Sequence, residues 1–450
     1  MGTEPERSNF SHRLRAHRKV REHWSPQDDS NGCVWAVDDQ LLVSKRVAAD
    51  VRDWLTREGL EPRRLKALRR TLIGLDRAAD IEILKLTLPP DRNVFDVTRQ
   101  LRGDVVASEK NSVSPNHVLV PGSWGSGCPS GPPREYDGDI PDPPYGDPGP
   151  PITLIDSGYQ WQRAWGDNPL EVLLGASPAV HPGFWPSATG WTYTPPEVLD
   201  GEHPARPERI DALAGHANFV AGELARRCCR PQIQIWNHNG SFVGEDLANI
   251  PTEAAVLNSL LLSQQLSPTP VILIVFAFSV FENVLAAAWQ AVLNHILETY
   301  NDNFVLVAPA GNQESIIPRF PAAMRGDRVI GVGALDATRS HYRSEFSNRG
   351  TKKDQWVTCS AIGEEVASTF LHADLPTEED PQGAHDFEDH NSWAIWQGTS
   401  FAAPKIAAAI ANELEGASDD ALAAWENAKT RYNPQPDPNG EVGLMFTELG

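Results

Sequence analysis

Cysteine is scarce. There are five in 450 residues (Cys33, Cys128, Cys228, Cys229 and Cys359), an odd number without the paired spacing of a zinc site. This excludes a disulfide framework as the source of stability and leads us to expect buried free thiols in a reducing compartment. Long apolar runs are also lacking. The longest, Val271–Phe281 ("VILIVFAFSVF"), is too short to span a bilayer. The opening "MGTEPERSNFSHRLRAHRKVREHW" has no apolar core of a secretory signal, and Glu6 stands where a myristoylation motif needs Ser or Thr. A soluble, cytoplasmic protein is expected. Positive charge is the third shortage: 39 Lys and Arg face 60 Asp and Glu, a net charge of −21. Neither nucleic acid nor an anionic membrane is therefore expected as a partner. An acidic surface instead favours solubility.

What is present divides the chain. Residues 1–30 are polar and basic, and read as a loose arm or an exposed helix. Residues 31–115 read in the order β-α-β-β-α-β. "CVWAVDDQLLVS" is a strand, and "KRVAADVRDWLTREG" a helix stopped by Gly59. "RTLIGLD" and "IEILKLTL" are two strands, "NVFDVTRQLRG" a helix capped by Asn93, and "DVVASEKNSV" a last strand. That order predicts a small ferredoxin-like α+β sandwich. Residues 116–151 are dense in Pro, Gly and Asp, which predicts an extended, exposed linker open to proteolysis. From Ile152 onward, "ITLID", "IQIW", "VILIVFAF", "FVLVAPA" and "RVIGVGA" are short β-branched runs with little alternation, as in strands buried on both faces of a parallel sheet. Helical stretches lie between several of them. A doubly wound α/β domain over 152–430 follows, with active residues at the carboxyl ends of strands. Residues 431–450 read as an extended tail.

One stretch stands apart. "QGTSFAAPKIAAAIA" (Gln397–Ala411) is a buried-type helix that begins with Gly398-Thr399-Ser400 and carries Pro404. Read alone, Ser400 is a helix cap, and a proline is tolerated in the first turn. Three other strand or helix ends alter that reading. "LIDSG" ends a strand at Asp156, "GHANFVAGELARR" opens a helix at His216, and "VAPAGNQ" ends a strand at Asn312. A hydroxyl is a weak nucleophile until an imidazole can take its proton, and the imidazole needs a carboxylate on its other nitrogen. A developing oxyanion needs preorganised donors, here the Asn312 amide and the Ser400 N–H. A helix N-terminus adds unsatisfied N–H groups beside the nucleophile.

These residues resemble the subtilisin-like serine proteases. "LIDSG" is similar to the family's Asp-Ser/Thr-Gly box and "HANFVAG" to its His-Gly-Thr-His-Val-Ala-Gly box. "APAGN" is similar to the oxyanion loop and "GTSFAAP" to the Gly-Thr-Ser-x-Ala-x-Pro box, and the order Asp, His, Ser is the family's. The resemblance covers about Ile152–Leu414. It implies a subtilisin-like doubly wound, mostly parallel sheet. It also implies a serine endopeptidase with Asp156, His216 and Ser400 as triad, and Asn312 with Ser400 as oxyanion hole. Residues 31–115 then resemble a prodomain, which would hold the enzyme as a zymogen and act as an intramolecular inhibitor. The substrate is protein or peptide.

The departures are informative. Ala217, Asn218 and Phe219 replace Gly, Thr and His after the histidine. Ala277, Phe278 and Ser279 stand where the substrate wall is expected, opposite Ala310 and Gly311. Phe320-Pro321 match the family's Tyr-Pro pair, which puts Arg319 at the base of the primary specificity pocket. A guanidinium there favours a substrate carboxylate, hence cleavage after Asp or Glu. The competing reading turns Arg319 to solvent or pairs it with Glu314. The acidic segment Asp374–His390 reads as a surface insertion, and its spacing gives no calcium loop; no metal or cofactor is expected. The remaining alternative is a catalytically silent subtilisin-like module that binds peptides or proteins.

Overall fold

A computed structural model describes residues 20–24, 33–65, 75, 80–119, 131–139, 149–156, 159, 168–176, 178–181, 186–187, 190–191, 215–228, 230–237, 252–372, 387, 389–416 and 419–449. The N-terminal unit contains β1 (Val20–Trp24), β2 (Cys33–Ser44), α1 (Lys45–Arg57), β3 (Arg63–Arg64), β4 (Ile81–Lys85), α2 (Val94–Asp104) and β5 (Val113–His117). Its strands form one antiparallel sheet, β1-β2-β4-β3, with β5 also on β2. α1 buries Ala48, Val51, Trp54 and Leu55 at helical spacing. α2 is capped as expected: the Asn93 side chain accepts from the N–H groups of Phe95 and Asp96, each at 3.0 Å.

Three expectations for this region change. Residues 20–24 do not trail in a loose arm but pair with β2. Of "RTLIGLD" only Leu75 lies within the described residues, and the observed strand is at Arg63–Arg64. The last strand begins at Val113, because residues 104–112 complete α2 and a tight turn. The cause is Arg102, whose buried guanidinium donates to the carbonyls of Lys110 and Val113 and fastens that turn. The chain therefore turns between α2 and Val113 where a strand was expected.

The larger unit is built on β7 (Pro151–Asp156), β8 (Ala179–His181), β11 (Gln232–Asn237), β12 (Val271–Ile274), β13 (Val305–Pro309), β14 (Val329–Leu335), β15 (Cys359–Ile362), β18 (Gln435–Pro436) and β19 (Leu444–Phe446). Among the described residues they make a nine-stranded sheet, β18-β19-β15-β14-β13-β12-β7-β11-β8, parallel throughout except between β18 and β19. Successive strand residues point to opposite cores. Ile152, Leu154, Val305 and Val307 face one, with α3 (Pro169–Leu174), α4 (His216–Arg227), α7 (Thr399–Gly416) and α8 (Ala421–Tyr432). Ile155, Ile272, Ile274, Leu306 and Ala308 face the other, with α5 (Glu253–Leu266) and α6 (Ala287–Thr299). This two-faced burial is why the strands read as continuous apolar runs. A short hairpin, β9 (Pro186–Ser187) with β10 (Gly190–Trp191), lies apart. The final residues are not a tail. β19 joins the sheet because Met445 and Phe446 are buried, and Phe446 stacks on Trp425 at 5.8 Å. No described helix is long and apolar enough to cross a membrane.

The linker is also not uniformly exposed. β6 (Arg134–Glu135) adds to an antiparallel pair made by β16 (Val366–Thr369) and β17 (Trp393–Trp396). Residues 120–130 and 140–148, with Cys128, lie outside the described residues, as do Cys229 and most of Asp374–His390.

The two units share a core. Phe281 is fully buried among the N-terminal unit's residues and lies 5.0 Å from Phe95. Arg102 donates to the Phe281 and Val284 carbonyls and pairs with Glu282. Beside them His117 Nδ1 lies 2.7 Å from Glu253, whose other oxygen accepts from Trp289 at 2.8 Å. The Phe281 N–H donates to His117 Nε2 at 3.1 Å. The Asn116 side chain accepts from the Ala254 N–H at the start of α5. The N-terminal unit thus grips the loop that continues from the expected substrate wall.

Between helices α4 and α7, Lys405 is buried 3.6 Å from buried Glu223, which also takes Arg226 and Arg227. Burial lowers the Lys405 ammonium to about 8, with Glu223 opposing the shift. The folded state then holds this proton less tightly than the unfolded chain, so stability contributed by this site rises between about pH 8 and 10.5. We expect Lys405→Met to be at least as resistant to urea as the wild type at pH 7, with the advantage shrinking by pH 10. Earlier unfolding of the variant at pH 7 would contradict this.

Candidate active site

The carboxyl ends of β7, β12 and β13 meet the start of α7. Asp156 is the last residue of β7, and α4 begins at His216, which Gly215 introduces at φ +80°. A side chain at Gly215 would meet the Phe370 ring at 2.4 Å, so only glycine lets α4 start here. His216 Nδ1 lies 2.8 Å from Asp156 Oδ1 and 3.1 Å from Oδ2, with both residues fully buried. This is the contact that fixes an imidazole tautomer, because Nδ1–H donates and Nε2 is left to accept. Among the described residues Nε2 has no hydrogen-bond partner.

Ser400 is the second residue of α7 and is fully buried. Its Oγ lies 3.5 Å from the Val275 carbonyl, at the limit of a hydrogen bond. Val275 follows β12 directly, and its N–H donates to Ile155 at 3.3 Å, one residue before Asp156. Val275 therefore joins the acid's strand to the hydroxyl. Pro404 is the sixth residue of α7, beyond the first turn where proline was expected. Lacking an N–H, it leaves the Ser400 carbonyl without its donor from residue i+4.

Asn312 is held from behind. Its Oδ1 accepts from the Thr399 N–H at 2.9 Å and from the Thr399 hydroxyl at 2.8 Å, while that hydroxyl accepts from the Gly311 N–H at 3.0 Å. A backbone N–H can only donate, so the atom it meets is the oxygen, and the Asn312 NH2 points the other way. The loop itself is braced by Asn348. Its Nδ2 donates to Ala310 O and Gln313 Oε1, and its Oδ1 accepts from the N–H groups of Gln313 and Ser315. Gly311 sits at φ +94°, and a Cβ there would come 2.6 Å from Asn348 Nδ2.

Ala277, Phe278 and Ser279 follow β12 on the same side of the sheet as Gly311. Ala277 lies beside Gly311: a Cβ built on that glycine would sit 3.4 Å from the Ala277 methyl. Phe278 forms a two-way backbone bridge with Phe320, ahead of a cis Phe320–Pro321 bond. Ser279 follows, and its buried Oγ has no hydrogen-bond partner among the described residues. Arg319 is 2% exposed, which removes the solvent-facing alternative. Sequence reasoning missed Val275, Thr399 and Asn348. Val275 acts through its carbonyl, which carries no side-chain signal, whereas Thr399 lay inside the quoted Gly-Thr-Ser run. Aromatic rings complete the site. Trp396 and Phe401 lie 6.1 and 5.4 Å from the His216 ring, and Phe219, a departure noted above, packs on Phe401 at 4.3 Å.

The strand ends and helix starts on one side of this parallel sheet thus carry an acid, an imidazole, a hydroxyl and an amide. Residues 275–433 match the model of the Subtilase family. Fervidolysin from Fervidobacterium pennivorans, described as a keratinolytic enzyme related to subtilisin, is 14% identical, with a TM-score of 0.53 over 94% of this chain and 61% of its own. This chain therefore spans about three fifths of that protein, and the likeness is one of fold. An epidermin leader peptide processing serine protease from Staphylococcus aureus is 14% identical over 89% of this chain and 93% of its own, with a TM-score of 0.47. No curated protein matches the chain. The family match is confined to residues 275–433, and over the rest of the chain the likeness is one of fold.

Gly311→Ala should displace Asn348 and force an alanine to positive φ, costing about 1–3 kcal/mol. Gly103→Ala in α2, where an added Cβ meets nothing within 4 Å, should be neutral or gain up to about 1 kcal/mol. Urea unfolding of the two variants beside the wild type checks the contrast.

Proposed function

We propose that the chain is a serine endopeptidase working through an acyl-enzyme. Ser400 attacks the scissile carbonyl, and His216 takes its proton and later returns it to the leaving amine. Asp156 orients the imidazole, and the Asn312 amide with the Ser400 N–H receives the oxyanion. The observation that carries this reading is the His216–Asp156 contact beside a helix-start serine, with the Asn312 amide turned outward by Thr399.

The same reading includes control by residues 31–115, as a ferredoxin-like prodomain holding a zymogen. Two observations support it. Asp156, His216 and Ser400 are all fully buried, as expected of an enzyme held inactive. The strand leaving the N-terminal unit runs on through Val118, which bridges antiparallel to Thr252 of the larger unit. The linker offers Asp137, Asp139, Asp142 and Asp147 as self-processing sites. For specificity we propose an acidic residue before the scissile bond. Arg319 is buried and precedes Phe320, which bridges to Phe278; a guanidinium in this place would hold a substrate carboxylate at low dielectric.

A second reading has a specific observation behind it. Ser400 Oγ lies against Val275 O, while His216 Nε2 has no partner among the described residues. A catalytically silent binder would keep this arrangement. A fluorophosphonate probe separates the two: we expect Ser400 to label in the full chain or after linker cleavage, and not in Ser400→Ala. No labelling in either form, with peptide binding retained, would favour the binder. In a labelling enzyme, Asn312→Ala should lower kcat by roughly 10²–10³. Arg319→Gly should abolish preference for Asp or Glu before the cut in a peptide panel; a wild type that prefers large apolar residues refutes the acidic assignment. Mass spectrometry should find a new N-terminus within 115–150.

A further inference from the structure

The strand before the nucleophile helix is held by the linker. β17 pairs on one side with β16 and on the other with β6, through Ala394 opposite Glu135 and Ile395 opposite Arg134. Arg134 makes a two-pronged contact with Glu365 at 2.6 Å, and Tyr136 lies against Trp393 at 6.0 Å. β17 ends at Trp396, and its indole Nε1–H donates to the Gly131 carbonyl at 2.7 Å. A stretch whose composition reads as a free tether is therefore a third strand, tied by a side-chain bond to the residue four positions before Ser400.

Trp396 in turn bounds the imidazole. Its ring is edge-on to His216 and tilted against Phe401 at 5.3 Å. It is also edge-on to Phe219 at 5.7 Å and to Phe370 at 5.6 Å, and is itself buried. Among the described residues His216 has one polar anchor, Nδ1 on Asp156. A ring held at one nitrogen can still swing about that bond, and Nε2 moves most when it does. The neighbouring rings limit the swing. Of the two that bound His216, Phe401 has no polar tie, whereas Trp396 is held in place by the linker carbonyl.

We propose that Trp396 is a positioning residue for His216, and that residues 131–137 of the linker act through it to set where Nε2 points. This rests on the peptidase reading given above. It makes the linker part of the active enzyme as well as the joint between its two units: a cut before Gly131 leaves the strap covalently joined to the larger unit, and a cut at Asp137, Asp139, Asp142 or Asp147 leaves it on β17 through its strand pairing and the Trp396–Gly131 bond.

The test uses the full chain in three variants. Trp396→Phe keeps an aromatic ring and loses the N–H. A Gly/Ser replacement of residues 132–137 removes the strand contacts, and the third variant combines both. Each is read by kcat and KM for peptide hydrolysis against pH, and by the NMR resonance of the His216 Nδ1 proton. Misplacing a reacting group by an ångström costs up to ~10²-fold, and about a tenfold fall in kcat is expected for either single change, with KM altered less than twofold. Water admitted to the imidazole favours its charged form, so the acid limb of the kcat profile should move to higher pH. The combined variant should lose no more than the worse single change, because both break one connection. Losses that multiply, or an unchanged profile and unchanged resonance in folded variants, overturn the proposal. If the wild type neither hydrolyses peptide nor labels at Ser400, the peptidase reading fails instead. The resonance and its titration midpoint then still decide whether Trp396 and the linker hold the histidine.

Discussion

The arrangement depends on one small junction. Asn312, in the loop that follows β13, takes two hydrogen bonds from Thr399 at the start of α7, and Thr399 in turn takes the Gly311 N–H. A parallel sheet fixes its strands side by side but says nothing about how a helix beginning on another layer is phased against their ends. This junction supplies that phase. It sets the height of α7 on the sheet, and so brings Ser400 level with Val275 and places the Asn312 amide on the same rim. The alanine-rich face behind it lets α7 lie close to the strands without a large side chain to tilt it.

Much of this was readable from the chain. Asp156, His216, Asn312 and Ser400 each sit where an apolar run breaks into small polar residues, and an open α/β sheet gathers such breaks at one edge. The main strands were legible because burial on both faces leaves unbroken β-branched runs. Elsewhere local pattern misled. "DVVASEKNSV" read as a strand, yet Arg102 holds its first nine residues in a turn by donating to the Lys110 and Val113 carbonyls. The Pro- and Gly-rich linker was read by average composition, and an average cannot reveal that Arg134 and Glu135 find a free strand edge more than 200 residues away. Met445 and Phe446 belong to the sheet although the prolines before them suggested a tail. Val275 contributes a carbonyl, and every residue has one.

The two ends of the linker have opposite attachments. Before it, Arg102 binds the N-terminal unit to the loop at Phe281–Val284. Within it, β6 binds the strand that leads to Ser400. The chain on either side of residues 120–130 is thus fastened to the larger unit.

Phe281 also has an evolutionary consequence. It belongs by sequence to the larger unit and by packing to the smaller, with Glu282 beside it facing Arg99 and Arg102. Drift on one side has to be answered on the other, across some 180 positions of sequence. Positions 99, 102, 281 and 282 should therefore covary among homologues, and a graft of either unit onto a distant relative should carry this quartet with it. Inheritance would treat these two units as one.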